Sequence, residues 1–321
     1  MRGAPGLGSM LHREIRQGRG PATEVAMAGP MTHMLISQVA SDPTVVTTLD
    51  PKLQDILIDR QRFLLLGSVG PDLPAVVDAL TSDHVSDRMH DGNLPTRVPT
   101  NTTIRELYRK LKAGPIDTAV LAFLLGYEAH CDADRFVHPI VNAISGGDMM
   151  VHRHAETVQD AAVFYDYTQQ DIKTSDYLSW LALCEEQPRE LAAVFAAWQP
   201  IVDKYYGQHS CRVWFDSYKT AFTIAREIKY HAGWSYPRVL QIADADLRRF
   251  YSRVPLPVSN TTGHFYKDVF QRAVSYIAQL WQQIYLRLID PADNDILDLC
   301  DDGDLNDGRN VRTGQTFYLW R

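Results

Sequence analysis

Residues 121–141 read LAFLLGYEAHCDADRFVHPIV, and this stretch decides the fold class. It overlaps a long, mostly apolar segment, Asp117–Phe136, which we predict to be a helix. Pro139 disfavours helical geometry at the residue before it, so we expect the helix to end or kink at His138. The histidine and aspartate residues on this apolar helix need partners in the fold, because unpaired polar groups are costly to bury.

Helical periodicity recurs along most of the chain after residue 31, whereas alternating runs of β-branched residues are few. We therefore predict an all-α fold, with a flexible leader at residues 1–26 and one helical domain over residues 27–321. A turn is expected at Gly67–Pro74. Further helices are predicted at Thr32–Ala40 (with Thr32 as N-cap), Asp50–Leu66 (with Asp50 as cap), Thr102–Leu111, Met149–Thr168, Ser175–Glu186, Pro188–Tyr206, Cys211–His231, Arg238–Arg253 and Phe265–Ile289.

The composition is that of an ordinary globular protein, with 45% hydrophobic and 22% charged residues. The net charge of −7 argues against a nucleic-acid scaffold, but it leaves room for a small phosphate substrate if bound cations supply local positive charge. Four scattered cysteines do not suggest a disulfide framework, and no apolar run approaches a membrane span. The first 26 residues contain no secretory h-region, so we expect a cytoplasmic protein.

Three residues in the opening stretch have the spacing of metal ligands. His130, Asp134 and His138 lie at i, i+4 and i+8, so they project from one face of a helix. Imidazole and carboxylate groups suit zinc, and one metal explains all three polar residues. His152 and Glu156, in VHRHAETVQD (residues 151–160), form a second i, i+4 pair. An isolated histidine is usually a core or surface residue, but two such pairs together favour metal binding.

Further candidates lie upstream of this stretch. His33 is in MTHMLIS, Asp72 is in the turn of LLLGSVGPDLP, and His90 is in TSDHVSDRMHDGN. Asp72 beside a proline is alternatively an Asx turn. Near the end of the chain, DDGDLNDG (residues 301–308) resembles a calcium loop, but its glycine is misplaced and the final glutamate is missing. We expect a solvated acidic loop there.

Taken in order, these motifs resemble the zinc-dependent phospholipase C family. The wider group includes the amino-terminal domain of glycosylphosphatidylinositol phospholipase D, and single-strand-specific nucleases share its general plan. The resemblance covers about residues 31–160, and residues 161–321 carry no motif that we can assign. It rests on TH (His33), GSVGPD (Asp72), DRMH (His90), AFLLGYEAHCDADRFVHP (His130, Asp134, His138) and HRHAE (His152, Glu156).

The resemblance implies a compact helical bundle with a zinc cluster in a cleft. It implies that one zinc is held by His90, His130 and Asp134 together with Asp72. It implies that Asp134 also bridges to a second zinc, which is held by His33. The remaining zinc is implied to be held by His138, His152 and Glu156. In secreted members the mature amino-terminal residue is also a ligand, whereas here about 30 residues precede His33, so we expect two or three zinc ions. The gap between Asp134 and His138 is shorter than in those enzymes and looks like the phospholipase D branch.

The implied activity is hydrolysis of a phosphodiester, in a phospholipid headgroup or a similar lipid or small-molecule substrate, by metal-activated water and without an organic cofactor. Asp72 is the candidate that orients or deprotonates the water. One alternative is a phosphohydrolase or nuclease that acts on nucleotides or a small metabolite. Another is a non-catalytic helical protein with structural zinc, but the candidate ligands are rich in carboxylates, and Cys131 faces away from them. The aromatic residues of the second half are most simply core, or they line a lipid pocket.

Overall fold

The structure is a computed structural model that describes residues 29–81, 83–90, 97–146, 148–170, 172, 177–232, 253–257, 261–292, 295–316 and 318–320. The predicted leader, and almost all of the predicted helix Arg238–Arg253, lie outside these residues. The described part is built almost entirely of helices, which confirms the all-α prediction. Its only paired strands are the two-residue strands β1 (Val254–Pro255) and β2 (Thr262–Gly263), which pair antiparallel.

The α-helices are numbered here in chain order. They are α1 (Pro30–Ala40), α2 (Pro51–Asp59), α3 (Gln61–Gly67), α4 (Ala75–Thr81), α5 (Val85–His90), α6 (Asn101–Lys112), α7 (Thr118–Ser145), α8 (Met149–Thr168), α9 (Pro188–Tyr205), α10 (Cys211–Ala232) and α11 (Gln271–Ile289). Short 3₁₀ helices lie at Gly70–Asp72, Tyr177–Glu186 and Tyr318–Trp320, and a π-helical turn at Phe265–Phe270 leads into α11. The predicted α-helix Ser175–Glu186 is thus a 3₁₀ segment where it is described.

Helix α7 is the centre of the fold, and every residue from Ala119 to Val141 on it is buried. The prediction that it ends or kinks at His138 was wrong about the end, because the helix continues through Pro139 to Ser145. Proline costs the helix a backbone hydrogen bond. Gly308 packs directly on this turn, since a Cβ there would lie 2.8 Å from the Arg135 carbonyl oxygen and 2.9 Å from Pro139 Cγ. Tertiary packing therefore encloses the turn that the proline weakens.

Helix α3 lies against α7 at a backbone-to-backbone contact. A Cβ at Gly67 would lie 2.2 Å from the Phe123 carbonyl oxygen, and one at Gly126 would lie 2.0 Å from the Leu64 carbonyl oxygen. Only glycine fits at either position, so the two helices meet without intervening side chains. The predicted single helix Asp50–Leu66 is instead two helices, α2 and α3, with the break at Arg60. The close contact brings the 3₁₀ turn that follows α3 to the middle of α7.

Helix α1 is fixed to α8 by one buried carboxylate, that of Asp160. Its oxygens accept hydrogen bonds from the backbone N–H groups of Met31 (3.2 Å) and Thr32 (2.8 Å), and from the Thr32 hydroxyl (2.6 Å). Thr32 is therefore not the N-cap that its position suggested, because the cap is Gly29 and the Thr32 side chain is used to bind Asp160. This contact holds the first turn of α1, which carries His33, against α8.

The tryptophans of the second half that are best buried belong to the core, as the simpler interpretation predicted. Trp198, Trp214 and Trp281 are almost completely buried, and the indole of Trp281 donates a hydrogen bond to the Leu125 carbonyl on α7.

Among the described residues, no single helix is long and apolar enough to cross a membrane. The bent pair Gln61–Gly67 and Gly70–Thr81 has the length and composition of a membrane span, but on those two criteria alone.

Candidate metal centre

The structure brings together all eight residues that the sequence proposed as ligands. They come from α1, from the turn after α3, from the last residue of α5, and from the facing sides of α7 and α8. The residues are His33, Asp72, His90, His130, Asp134, His138, His152 and Glu156. Their donor atoms form three groups, in each of which the atoms lie within 4.8 Å of one another: His33, Asp72 and His130; His90, His130 and Asp134; and His138, His152 and Glu156.

Asp134 is at the centre of the cluster, and its side chain is 1% exposed. Its Oδ1 lies 3.2 Å from His33 Nε2 and 3.5 Å from His138 Nε2. Its Oδ2 lies 3.2 Å from His130 Nε2 and 3.7 Å from His90 Nε2. Even so, neither oxygen has a hydrogen-bond partner of acceptable geometry among the described residues. A buried carboxylate without hydrogen bonds is costly, so this arrangement calls for a cation.

His90 and His130 face each other through their Nε2 atoms, which are 3.0 Å apart. The Nδ1 of His90 lies 2.7 Å from the Ser86 carbonyl, and the Nδ1 of His130 lies 2.9 Å from the Ser68 carbonyl. Because a carbonyl oxygen only accepts, each Nδ1 carries a proton, and if both rings were neutral their Nε2 lone pairs would point towards one another. That repulsion is relieved by a proton or by a metal ion. Metal-binding histidines commonly have this arrangement, with the second ring nitrogen bonded to a carbonyl.

Glu156 is the centre of the second group. Its Oε1 lies 3.0 Å from His138 Nε2 and 3.0 Å from His152 Nε2. The Nδ1 of His138 donates to the Leu305 carbonyl at 2.6 Å, and the Nδ1 of His152 lies 3.2 Å from Asn142 Oδ1. Both rings therefore present Nε2 to the glutamate, as two imidazole ligands and one carboxylate ligand of a single ion would.

The sequence model of the family described as zinc dependent phospholipase C matches residues 32–199, just over half of the 321 residues. The chain belongs to the zinc-dependent phospholipase C family. The search of curated proteins and the search of solved structures each found no match. All eight candidate ligands lie within the residues that the zinc-dependent phospholipase C model covers. The buried histidine and carboxylate groups fit the zinc binding that this family membership implies.

The electrostatics of the metal-free cluster show where a cation is needed. Burial alone would raise the pKa of Asp134, but the imidazoles of His138, His130 and His33 outweigh it and hold that pKa well below its usual range. Burial would lower the pKa of His90, yet hydrogen bonding to Asp72 and the charges of Asp72 and Asp134 raise it to about 9. A proton on His90 thus compensates the carboxylates in the absence of metal, and zinc has to displace it.

The same balance holds in the second group. Burial would lower the pKa of His138, but Asp134 and Glu156 raise it to about 10. Burial would raise the pKa of Glu156, but hydrogen bonds from His138 and His152 lower it to about 2. His33 differs, since burial and the neighbouring His130 lower its pKa. A neutral His33 is ready to bind a metal without losing a proton.

Asp72 differs from the other carboxylates in its exposure. Its side chain is 24% exposed, against 1% for Asp134, and its Oδ1 lies 3.3 Å from His90 Nε2. Burial alone would raise the pKa of Asp72, but the imidazoles of His130 and His90 outweigh it and lower that pKa. Asp72 is therefore an ionised carboxylate with one side towards the cluster and one side accessible from outside.

The chain just before His33 also reaches the cluster. Gly29 has a φ of +83°, and a Cβ on it would lie 4.0 Å from His33 Nε2 and 3.9 Å from Glu156 Cδ. The resemblance placed an amino-terminal ligand in this region for secreted relatives, and here an internal glycine lies beside the two groups. Cys131 is buried and packed in the core, as its direction on the helix predicted.

Several groups that shape the centre were not predicted from the sequence. The Ser68, Ser86 and Leu305 carbonyls are backbone groups, so no side chain marks them in the sequence. Asp160 did leave a signal, because it lies four residues after Glu156 and hence on the same face of α8. From that spacing, the side chain of Asp160 could have been predicted to lie on the same side of α8 as the cluster.

Proposed function

We propose that this chain hydrolyses a phosphodiester, in a phospholipid headgroup or a chemically similar substrate, by means of two or three zinc ions held by the eight clustered residues. The family membership supports a zinc-dependent phosphodiesterase in general. The observation that carries the proposal is Asp134: its two buried oxygens lack hydrogen bonds, although four imidazole nitrogens lie within 3.7 Å of them.

The ligands divide most simply into three sets. One zinc would be held by His90, His130 and Asp134 together with Asp72. A second would be held by His138, His152 and Glu156. His33 would bind a third zinc that shares Asp134, because His33 Nε2 lies 3.2 Å from Asp134 Oδ1.

An open catalytic site fits these residues better than a closed structural one. Structural zinc is usually enclosed by four protein ligands, often cysteines, whereas hydrolytic zinc sites keep a position for water. All four cysteines are buried, and none is among the grouped donors. The partly exposed Asp72 gives the cluster a side from which water and substrate can approach.

Zinc bound here would activate a water molecule near neutral pH and neutralise charge on the phosphoryl oxygens. The chain's own contribution is positional. Asp72, a carboxylate whose pKa is lowered by the neighbouring imidazoles, would orient or deprotonate the attacking water on the exposed side of the cluster. The three carbonyl groups that bind Nδ1 atoms would keep the histidine rings from rotating.

The test compares zinc-loaded protein with the same protein after chelation, on three substrates. These are phosphatidylcholine in mixed micelles, bis-p-nitrophenyl phosphate and single-stranded DNA. We expect zinc-dependent release of the phosphorylated headgroup and slower cleavage of the generic diester. Bound zinc with no turnover on any of the three would contradict the proposal and favour structural zinc, and cleavage of DNA alone would favour the nuclease.

A further inference from the structure

The acidic segment Asp301–Gly308, called the tail loop from here on, is packed against the metal centre rather than solvated. Gly303, Asp304 and Leu305 in it are buried, which overturns the expectation of a solvated acidic loop. It lies outside residues 32–199, the part that the family model covers. Neither the family match nor any sequence motif assigns it a role.

The aspartates of the tail loop form ion pairs with arginines, so their carboxylates are already neutralised without a calcium ion. Asp302 forms a two-pronged pair with Arg97, at 3.0 and 2.8 Å. Asp304 and Asp307 lie 3.4 and 3.5 Å from Arg309 nitrogens. The remaining pair is Asp301 with Arg312, at 3.7 Å. Each aspartate of the loop therefore has an arginine partner, and these arginines lie outside the loop.

Leu305 contacts two candidate zinc ligands through its backbone alone. Its carbonyl oxygen accepts a hydrogen bond from His138 Nδ1 at 2.6 Å, and its N–H donates to the His90 carbonyl oxygen at 2.9 Å. The two histidines belong to different donor groups and to different helices. One residue of the loop thus holds both sides of the centre together.

The next residue acts on a third histidine through Asn142. The amide nitrogen of Asn142 donates to the Asn306 carbonyl, which turns Asn142 Oδ1 towards His152 Nδ1, at 3.2 Å. A carbonyl oxygen can only accept, so this contact settles the orientation of the amide. His152 then has its proton on Nδ1 and its Nε2 towards Glu156.

The loop is anchored on the far side of α7. Arg135 is buried and donates to the Asp301 carbonyl at 2.8 Å. The Thr100 hydroxyl bonds both the N–H and the carbonyl of Gly303, each at 3.1 Å. Gly308 rests on the Arg135 carbonyl and the Pro139 ring. Both ends of the loop are therefore fixed to the same helix that carries His138.

We propose that the tail loop is a positioning element of the zinc centre, which sets the ring orientation of His138 and His152 and ties His90 to them. It supplies no ligand of its own. The inference rests on the proposed zinc function. Groups that bind the second nitrogen of a metal-binding histidine typically contribute about 10–100-fold to metal affinity.

Two glycines offer a matched test. Gly308 and Gly314 both have a φ of +69°, so alanine meets the same backbone strain at each. At Gly308 the new Cβ would also lie 2.8 Å from the Arg135 carbonyl oxygen, whereas at Gly314 nothing lies within 4 Å. We expect Gly308→Ala to weaken zinc binding by about 10–100-fold in chelator competition, and Gly314→Ala to bind as the wild type does. Equal zinc affinity of the two folded variants would overturn the proposal.

A spectroscopic measurement on the wild type needs a variant only for the assignment of one signal. In ¹⁵N-histidine NMR we expect a downfield, slowly exchanging Nδ1–H signal from His138, assigned by its loss in His138→Gln. A His138 ring protonated only at Nε2 would overturn the proposal. Failure of the wild type to take up zinc would overturn the proposed function instead, and the Nδ1–H signal would then still decide whether the loop holds His138.

Discussion

Helix α7 carries two buried aspartates on opposite faces, and different groups neutralise their charges. Asp132 and Asp134 are two residues apart, about 200° around the helix. Asp132 accepts a hydrogen bond from Arg135 at 2.7 Å. Burial and the charge of Asp132 raise the pKa of the neighbouring Glu128 carboxyl well above its usual range. The charge of Asp132 on the back face is therefore balanced within the chain, by the guanidinium of Arg135.

On the front face, no arginine or lysine of the described residues forms an ion pair with Asp134. Among the described residues, the charged or titratable partners within 4.0 Å of Asp134 are all imidazoles, which are charged only when protonated. A buried carboxylate that is paired with a permanent cation points to a structural role, and one that is ringed by titratable nitrogens without hydrogen bonds points to a bound ion. The type of neutralising group thus separates the two aspartates more clearly than their burial does.

The largest expected effect is the loss of zinc on removing the front-face charge. Asp134→Asn should lose zinc and activity, because the amide brings no charge to the four histidines around it. Asp132→Asn is the matched control on the back face and should keep its zinc. Metal analysis of both purified variants checks this. An Asp134→Asn protein with the wild-type zinc content would break the comparison.

Asp72→Asn should come next, with kcat/KM lowered by about 10²–10⁴-fold. The turn should survive, because asparagine forms turns as well as aspartate does, but the neutral amide cannot hold the attacking water as a carboxylate does. Asp87→Asn is the control, since Asp87 is exposed and its ion pair within the described part of the chain is with the exposed His84. If the Asp72 variant works within about threefold of the wild type, well short of that range, Asp72 is only a turn former.

Asp132→Asn should reduce stability while it spares zinc. Breaking a buried ion pair leaves the Arg135 guanidinium without its carboxylate, which costs about 3–5 kcal/mol. The measurement is urea unfolding of zinc-loaded wild type and variant. A variant as stable as the wild type would show that the carbonyl and hydroxyl partners of Arg135 suffice to balance its charge.

The smallest effect concerns pH. In zinc-free protein His90 and His138 have pKa values raised from 6.5 to about 9 and about 10, so the stability they contribute is complete below pH 6.5 and is lost as pH rises through 9 and 10. Zinc binding changes in the opposite sense, because protons leave as pH rises. The difference in Tm between zinc-loaded and chelated protein should therefore widen from pH 6 to pH 9. A gap that narrows over this range would contradict the cluster's charge balance.

Much of the centre could be predicted from sequence, because its ligands obey helix spacing. The i, i+4 and i+8 pattern on α7 and the i, i+4 pair on α8 were enough to place five residues on two facing sides. The order of motifs added His33, Asp72 and His90 through the family resemblance. Local rules worked here since both helices present their ligands on one face.

The errors came where tertiary contacts override local rules. Pro139 does not end α7, because Gly308 from the far end of the chain packs on that turn. The tail loop was expected to be solvated on composition alone, yet its arginine partners Arg97 and Arg309 and its backbone contacts bury it. Asp160 was missed since its partners lie 128 and 129 residues away in the sequence. The partners of Pro139 and Asp160 lie far away in the sequence, and only the i, i+4 spacing of Asp160 from Glu156 gave a local indication of its position.

The central claim is that the ring of imidazoles around Asp134 and Glu156 holds zinc, and metal stoichiometry tests it most directly. The protein should be produced in zinc-replete medium, desalted, and measured by elemental mass spectrometry against its amino-acid content. Two donor groups share no residue, and they predict at least two zinc ions per chain, with a third if His33 and Asp134 share one. These groups are His90, His130 and Asp134, and His138, His152 and Glu156. Fewer than one transition-metal ion per folded chain would contradict the account.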